Sequence, residues 1–304
     1  MSQRILITGG SGLLALNWAL TVRAGFAVTL GLHEQNIALA GVETRKLDLD
    51  SVENLLRVLE ATEAQTVIHT AGLTSVEKCE ADPGRARHIN VDIASNVAEA
   101  CARLGLPLVH ISTDHLFSGH ASFSSESCLP EPVNVYGLTK AEAESRVLDA
   151  HPMTLVVRTN FYGWGTRYRH SFSDVIIETL RAGRELTLFD DVFYTPILAE
   201  TAVLAVHDLI DHQASGIFNV AGDERISKYE FGLKLAQEFE LDAHLIMPGS
   251  ITAQVALTRR PYDMSLSNQR TRKLLGRKLG GVDAQIARLH QQEHVGLARE
   301  LHGL

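Results

Sequence analysis

Short apolar runs alternate with longer amphipathic stretches along the N-terminal two thirds of the chain. The run Arg4-Ile5-Leu6-Ile7-Thr8 predicts a strand that stops at Gly9-Gly10-Ser11-Gly12. A helix over 13–24 follows, and 26–30 reads as a second strand. Strand, glycine turn, helix and strand in this order open a parallel βαβ unit. The alternation continues with a helix capped by Ser51 and running to 61, a strand at 66–69, a long helix over 83–104 and a strand at 106–112. A helix over 134–150 and a strand at 154–158 complete the series. The strands are almost continuously apolar, as strands covered on both faces must be. The expected fold class is α/β, a doubly wound parallel (Rossmann) sheet.

Beyond Asn160 the pattern loosens. A turn at 162–165, a helix over 171–182, an irregular stretch at 186–196, a helix over 197–211 and a strand at 216–220 are predicted. From Ser227 on, the chain reads as mostly helical, with loops around Pro248 and around Arg259-Arg260-Pro261. No repeat and no flexible tether divides it. The expected organisation is a dinucleotide-binding domain of 1–163 plus about 197–222, interleaved with a smaller substrate-binding domain of 164–196 plus about 223–304.

At 304 residues the chain is long enough to bury a sizeable core without staples. A net charge of −8 and no basic run argue against nucleic acid as a partner. Cys79, Cys101 and Cys128 stand at no metal or redox spacing, which fits a reducing compartment. With no apolar leader before the first strand and no membrane-length apolar run, the expected location is cytoplasmic, with no membrane contact. The 14 histidines contain no H-E-x-x-H pattern and no Cys/His cluster, so no metal site is expected.

Chemistry enters at three places. Gly9, Gly10, Ser11, Gly12 and Leu13 sit where a strand hands over to a helix. Glycines there allow close approach of a pyrophosphate, and the helix N-terminus offers it free N–H groups. Ala15 replaces the third glycine of the usual pattern and is small enough to keep the helix close to the strand. The second strand ends Leu30-Gly31-Leu32-His33-Glu34, with no acid at the strand end itself and Glu34 slightly late. His33 tolerates a 2′-phosphate, which points to NADP rather than NAD; two solvated loop residues are the other reading. Asp48-Leu49, after the third strand, either touches the adenine or forms the polar edge of the next helix.

Tyr136 and Lys140 lie four apart on a predicted helix and so share a face. An ammonium beside a phenol is expected to pull its pKa down toward neutrality, giving a proton donor for a carbonyl that receives hydride. Thr113 ends a parallel strand, where open α/β sheets carry their ligands, and its hydroxyl can donate to the same oxygen. Asp114-His115 is either an acid/base pair or an Asx-type turn.

These residues resemble the extended short-chain dehydrogenase/reductases, and within them the dTDP-4-dehydrorhamnose reductase group. The resemblance rests on Thr8-Gly9-Gly10-Ser11-Gly12, on the stretch Ile111-Ser112-Thr113-Asp114-His115-Leu116-Phe117-Ser118-Gly119 and on Asn134-Val135-Tyr136-Gly137-Leu138-Thr139-Lys140. Weaker echoes are Phe218-Asn219-Val220-Ala221-Gly222, Ser227-Lys228-Tyr229-Glu230-Phe231, and Arg260-Pro261 followed by Ser265-Leu266. It implies a catalytic trio of Thr113, Tyr136 and Lys140, with Tyr136 as proton donor. It implies cofactor contacts from the glycine turn, from Asp48 and Leu49, and from Thr70, Ala71 and Gly72. Asn160 and Arg260 would lie near a nucleotide-linked sugar, with Asp114, His115 and Thr195 in its pocket. His115 stands where many of these reductases have tyrosine, which leaves the sugar open.

The implied activity is NAD(P)H-dependent reduction of a nucleotide-linked keto-deoxy sugar, by an enzyme expected to form homodimers. Two alternatives stay open. One is an epimerase or dehydratase with retained NAD(P). The other is a non-catalytic regulatory subunit of a methionine adenosyltransferase-like partner, since one branch of the family serves in that way.

Overall fold

The computed structural model describes residues 2–254 and 257–304. In chain order the first half comprises β1 (Gln3–Thr8), α1 (Leu13–Val22), β2 (Phe26–Leu32), β3 (Glu43–Lys46), α2 (Val52–Ala61), β4 (Thr66–His69), α3 (Val76–Ala81), α4 (Pro83–Arg87), α5 (Ile93–Leu104), β5 (Leu108–Ile111) and α6 (Val135–Ala150). The second half comprises β6 (Leu155–Arg158), β7 (Phe161–Tyr162), α7 (Phe172–Arg181), β8 (Leu186–Phe189), β9 (Phe193–Tyr194), β10 (Ile197–Leu198), α8 (Ala199–Asp211), β11 (Gly216–Asn219), β12 (Ile226–Ser227), α9 (Lys228–Glu238), β13 (Ile246–Gly249), α10 (Gln269–Leu275), α11 (Val282–His294) and α12 (Leu297–His302).

Seven strands form one parallel sheet in the order β11-β6-β5-β4-β1-β2-β3. The connection reverses direction between β1 and β4, so a crevice opens beyond their carboxyl ends at the topological switch point. Side chains alternate across this sheet. Ile5 and Ile7 face a core containing Trp18 and Val203 from α1 and α8, whereas Leu6 faces one built from α2, α5 and α6 with Leu55, Val97 and Val147. The fully buried Trp18 donates its indole N–H to His207 Nε2 at 3.0 Å, so the large ring is buried with its polar atom satisfied.

Three two-stranded sheets, β10-β7, β12-β9 and β13-β8, build the layer over the crevice. The stretch expected to be irregular thus supplies β8 and β9, and the Pro248 segment is a strand rather than a loop. Pro248 pairs in parallel register with Leu188 in a sheet where each strand is an edge, the setting in which a missing N–H is tolerated. The helix expected to start at 197 starts at Ala199, because Ile197 and Leu198 pair with Phe161 and Tyr162. α10 packs against β11 and α8, while α11 packs on α9.

The long helix expected over 83–104 is interrupted. His88–Asp92 forms a π turn between α4 and α5. Its Asn90 is buried, accepts from Leu73 N at 2.7 Å and donates to Thr139 Oγ1 at 3.0 Å. One amide thereby ties the loop after β4 to the helix that carries Tyr136 and Lys140. Among the described residues no helix is long and apolar enough to cross a membrane.

Candidate active site

The glycine turn is built for close approach. Gly9 has φ of +66°, and a Cβ there would lie 2.7 Å from Ala71 Cα. The turn therefore packs directly on the loop after β4, which only glycine permits. Gly12 N donates to Gly9 O at 2.7 Å, and Gly12 caps α1 without any side-chain cap, leaving first-turn N–H groups free toward the crevice. A turn closed by mutual hydrogen bonds of Thr166 and Arg169 lies over it. Tyr168 reaches down to donate to Ser11 O at 3.1 Å.

α6 starts at Asn134, whose Oδ1 accepts from Gly137 N at 2.8 Å and whose Nδ2 donates to Arg259 O at 3.0 Å. A Cβ at Gly137 would lie 2.3 Å from the His115 carbonyl oxygen. Glycine after Tyr136 thus lets α6 press against the turn that follows β5. This contact sets Tyr136 beside Thr113 and edge-on to the His115 ring at 5.5 Å.

Burial pushes the Tyr136 phenol up to about 12, with the nearby Thr113 hydroxyl working against that rise. The expected drop toward neutrality is corrected here, and the reason is geometric. Lys140 turns its ammonium away, donating to the Ile111 carbonyl at 2.7 Å and lying 3.4 Å from His110 Nε2. Burial in turn lowers Lys140 to about 8, with Glu144 on the next helical turn opposing the shift. The phenol consequently keeps its proton throughout the physiological range, the state a proton donor needs.

Asp114 is buried and its Oδ2 accepts from Asn160 Nδ2, while Thr113 Oγ1 approaches its other oxygen at 3.3 Å. The carboxylate is spent on a side-chain link between β5 and β6 and does not form an Asx turn. His115 N instead donates to Thr113 Oγ1 at 3.3 Å. Burial lowers His115, so its imidazole is neutral beside the phenol.

A cavity of about 490 Å³ collects Gly12, Leu13, Thr70, Ala71, Gly72, Thr113, Asp114, His115, Tyr136, Lys140 and Asn160 in one wall. Asn90, Phe161, Arg169, His170 and Phe172 line it too and were not singled out in the sequence. A second cavity, of about 360 Å³, shares His115 and Phe172 with the first and contains Arg260 and Lys228. Lys228 lies over the Tyr194 ring at 3.4 Å, and Arg260 pairs with Glu77 of α3. His33 lies apart, with Arg45 and Lys46, in a groove of about 440 Å³ at the ends of β2 and β3. Gly9, Gly10 and Ser11 form the turn below the first cavity without lining it. Asp48 and Leu49 line none of the three cavities; Asp48 accepts from Asp50 N at 3.0 Å and Leu49 O accepts from Asn96 at 3.1 Å. Thr195 is buried and accepts from Leu266 N at 3.1 Å. Among the described residues no group of three or more His, Cys, Asp or Glu side chains is placed to hold a metal ion.

The sheet order, the glycine turn and the joint placement of Thr113, Tyr136 and Lys140 define the fold of an extended short-chain dehydrogenase/reductase. The chain belongs to the family described as RmlD substrate binding domain, whose family model matches residues 3–294. It is similar to a probable low-salt glycan biosynthesis reductase of Haloferax volcanii, with 29% identity over 79% of this chain and 81% of the other. It is also similar to methionine adenosyltransferase 2 subunit beta of Mus musculus, with 28% identity over 81% of this chain and 75% of the other. Among solved structures, a hypothetical dTDP-4-dehydrorhamnose reductase from Sulfolobus tokodaii aligns with a TM-score of 0.80 and 30% identity, covering 91% of this chain and 97% of the other. A dTDP-4-dehydrorhamnose reductase from Bacillus anthracis, solved in complex with NADP, has the same fold, with a TM-score of 0.85 and 23% identity over 96% of this chain and all of the other.

Proposed function

We propose that the protein is an NADPH-dependent reductase of a nucleotide-linked keto-deoxy sugar. The carrying observation is that Tyr136, Thr113 and Lys140 line one cavity together with the uncapped N-terminus of α1. The helix N-terminus suits a pyrophosphate, and Thr70, Ala71 and Gly72 line the path toward Tyr136. NADPH, when bound, supplies hydride to the carbonyl carbon. Tyr136 donates its proton to the carbonyl oxygen, the neighbouring Thr113 hydroxyl can donate to the same oxygen, and Lys140 offers its cation to the dinucleotide ribose. The second cavity, reached past His115, has room for the nucleotide part, with Lys228 and Arg260 as its cations.

The purified chain is expected to oxidise NADPH stoichiometrically with a dTDP-4-keto-6-deoxyhexose and to release a hydroxy sugar. A panel of nucleotide keto sugars followed by loss of reduced-cofactor absorbance tests this. Sugar conversion without net cofactor consumption would replace the reading with an epimerase or dehydratase. The similarity to methionine adenosyltransferase 2 subunit beta favours a second reading, a non-catalytic subunit. No turnover across the panel, together with co-purification of a methionine adenosyltransferase, would establish it.

Preference for NADPH follows from the groove at the ends of β2 and β3. His33, Arg45 and Lys46 face it with Glu34 as the single acid among its lining residues. Replacing Arg45 and Lys46 together by alanine is expected to weaken NADPH binding about tenfold or more, the scale of one lost hydrogen bond to a charged group, with NADH little changed. Equal loss for both cofactors in fluorescence titrations would remove the 2′-phosphate from this groove.

A further inference from the structure

Three polar side chains of the sheet, Thr8 of β1, His69 of β4 and His110 of β5, lead to Lys140 of α6, which lines the first cavity. The first three are at most 1% exposed and Lys140 is 6% exposed. Thr8 Oγ1 is 2.7 Å from His69 Nδ1, and the His69 and His110 rings stack with centroids 5.4 Å apart at 20°. His110 Nε2 then meets Lys140 Nζ at 3.4 Å. Among the described residues, His69 Nε2 and His110 Nδ1 have no hydrogen-bond partner.

Two buried imidazoles, each with an orphaned nitrogen, are costly beside the apolar residues that central strands normally carry. Burial and the nearby Lys140 charge hold both rings neutral, His69 down at about 3. A neutral imidazole differs from any aliphatic filler in one respect. Either ring nitrogen can carry the proton, so the same atom can accept from an ammonium or donate to an amine.

We infer that His110 is a positioning residue for Lys140, whose ring holds the lysine nitrogen at one point whether the lysine is charged or neutral by exchanging its own tautomer. With the ammonium present, His110 Nε2 accepts and its proton sits on Nδ1. When Lys140 loses its proton, the amine accepts from Nε2–H, and Nδ1 becomes a bare acceptor. No charge enters the imidazole in either state. His69, backed by Thr8, fills the far side of the ring and keeps it from turning. The other groups facing Lys140 are Tyr136 and Glu144 on its own helix, and Glu144 is held by Arg158 of β6. The cavity lies on the open side of the same nitrogen, so what His110 steadies is the cation presented to a dinucleotide ribose. This inference rests on the proposed cofactor reading.

The test is NADPH affinity against pH by fluorescence titration, for the wild type, His110→Phe and His110→Gln. Wild-type affinity should fall as pH rises through about 8, where Lys140 loses its proton. His110→Phe removes the acceptor, so binding near neutrality should weaken about three- to tenfold and the fall should move down by about half a pH unit or more. His110→Gln keeps an acceptor and should stay close to wild type. Coincident profiles for all three proteins, or equal shifts in both variants, would reduce His110 to packing. Ring-nitrogen NMR of the wild type gives a measurement that depends on neither variant folding. The His110 signals should exchange from the Nδ1–H to the Nε2–H pattern as Lys140 titrates, with no protonated imidazole at any step. A fixed tautomer across that range overturns the inference. Failure of the wild type to bind NADPH at all would overturn the cofactor reading instead, leaving the tautomer measurement to decide the role of His110.

Discussion

Tyr136→Phe is expected to lower kcat for keto-sugar reduction by about 10²–10⁴-fold, the contribution typical of a positioned general acid. NADPH affinity should stay within about twofold, since only the hydroxyl is lost from a buried ring and no charge is removed. Thr113→Val should produce a smaller fall in kcat, because it removes a second hydroxyl beside the reacting oxygen and leaves the proton donor in place. The pH dependence separates this scheme from one with a depressed tyrosine. With the phenol up at about 12 and Lys140 at about 8, the acid itself does not titrate in the working range. Activity should be flat from pH 6 to 7 and decline as pH rises through about 8, when the cation is lost. Steady-state rates over pH 6–10 at limiting cofactor check this, and a Tyr136→Phe enzyme that retains most of its kcat would show that another group supplies the proton.

The largest loss of stability is expected from splitting the ion pair between Arg158 and Glu144. Their side chains are 2% and 4% exposed, and three hydrogen bonds of 2.9, 3.2 and 2.7 Å join them. The guanidinium also lies over the Phe117 ring, with its centre 5.4 Å from the centroid. Truncating either partner leaves a buried charge without its counter-ion, a loss of about 3–5 kcal/mol, whereas removing both together costs much less because no lone charge remains. Glu144→Ala, Arg158→Ala and the double variant, compared by urea unfolding, should therefore be strongly non-additive. Additive losses below about 1 kcal/mol each would mean that the charges reach water in solution. The pair joins β6 to α6, so the single variants should also lose activity well below their unfolding midpoints.

The central sheet was legible because its strands are apolar on both faces and its glycine turn has a fixed place in a βαβ unit. The edge strand β3 was legible only as a third strand somewhere before Asp48, since Glu43, Thr44, Arg45 and Lys46 are all exposed and carry no apolar signal to bound it. Arg45 and Lys46, the basic side of the groove at the ends of β2 and β3, therefore went unnoticed. Tyr136, Lys140 and Thr113 were found by position relative to the strands, and the cavity does gather them. What spacing could not reveal was direction: residues four apart share a helix face, yet Lys140 bends inward to Ile111 while Tyr136 meets Thr113. Arg169 escaped notice because it reaches the cavity through a turn after β7, in a segment without periodicity, and Phe172 because it opens α7, where the sequence announced only a helix start. Lys228 opens α9 with a Ser227–Glu230 capping box, so its sequence context announced a helix start and gave no hint of a ligand pocket.

The interruption between α4 and α5 has a consequence for length variation. A π turn holds one residue more than the α-helix around it, so excising a single residue within 88–92 would restore an unbroken ladder. A local gain in regularity then comes at the expense of the Asn90 link, because the wide turn that carries Asn90 to Leu73 and Thr139 is lost. Shortened variants that fold well yet turn over poorly are the expected outcome at this spot, and it is the place where a stability-driven redesign of the chain would go astray.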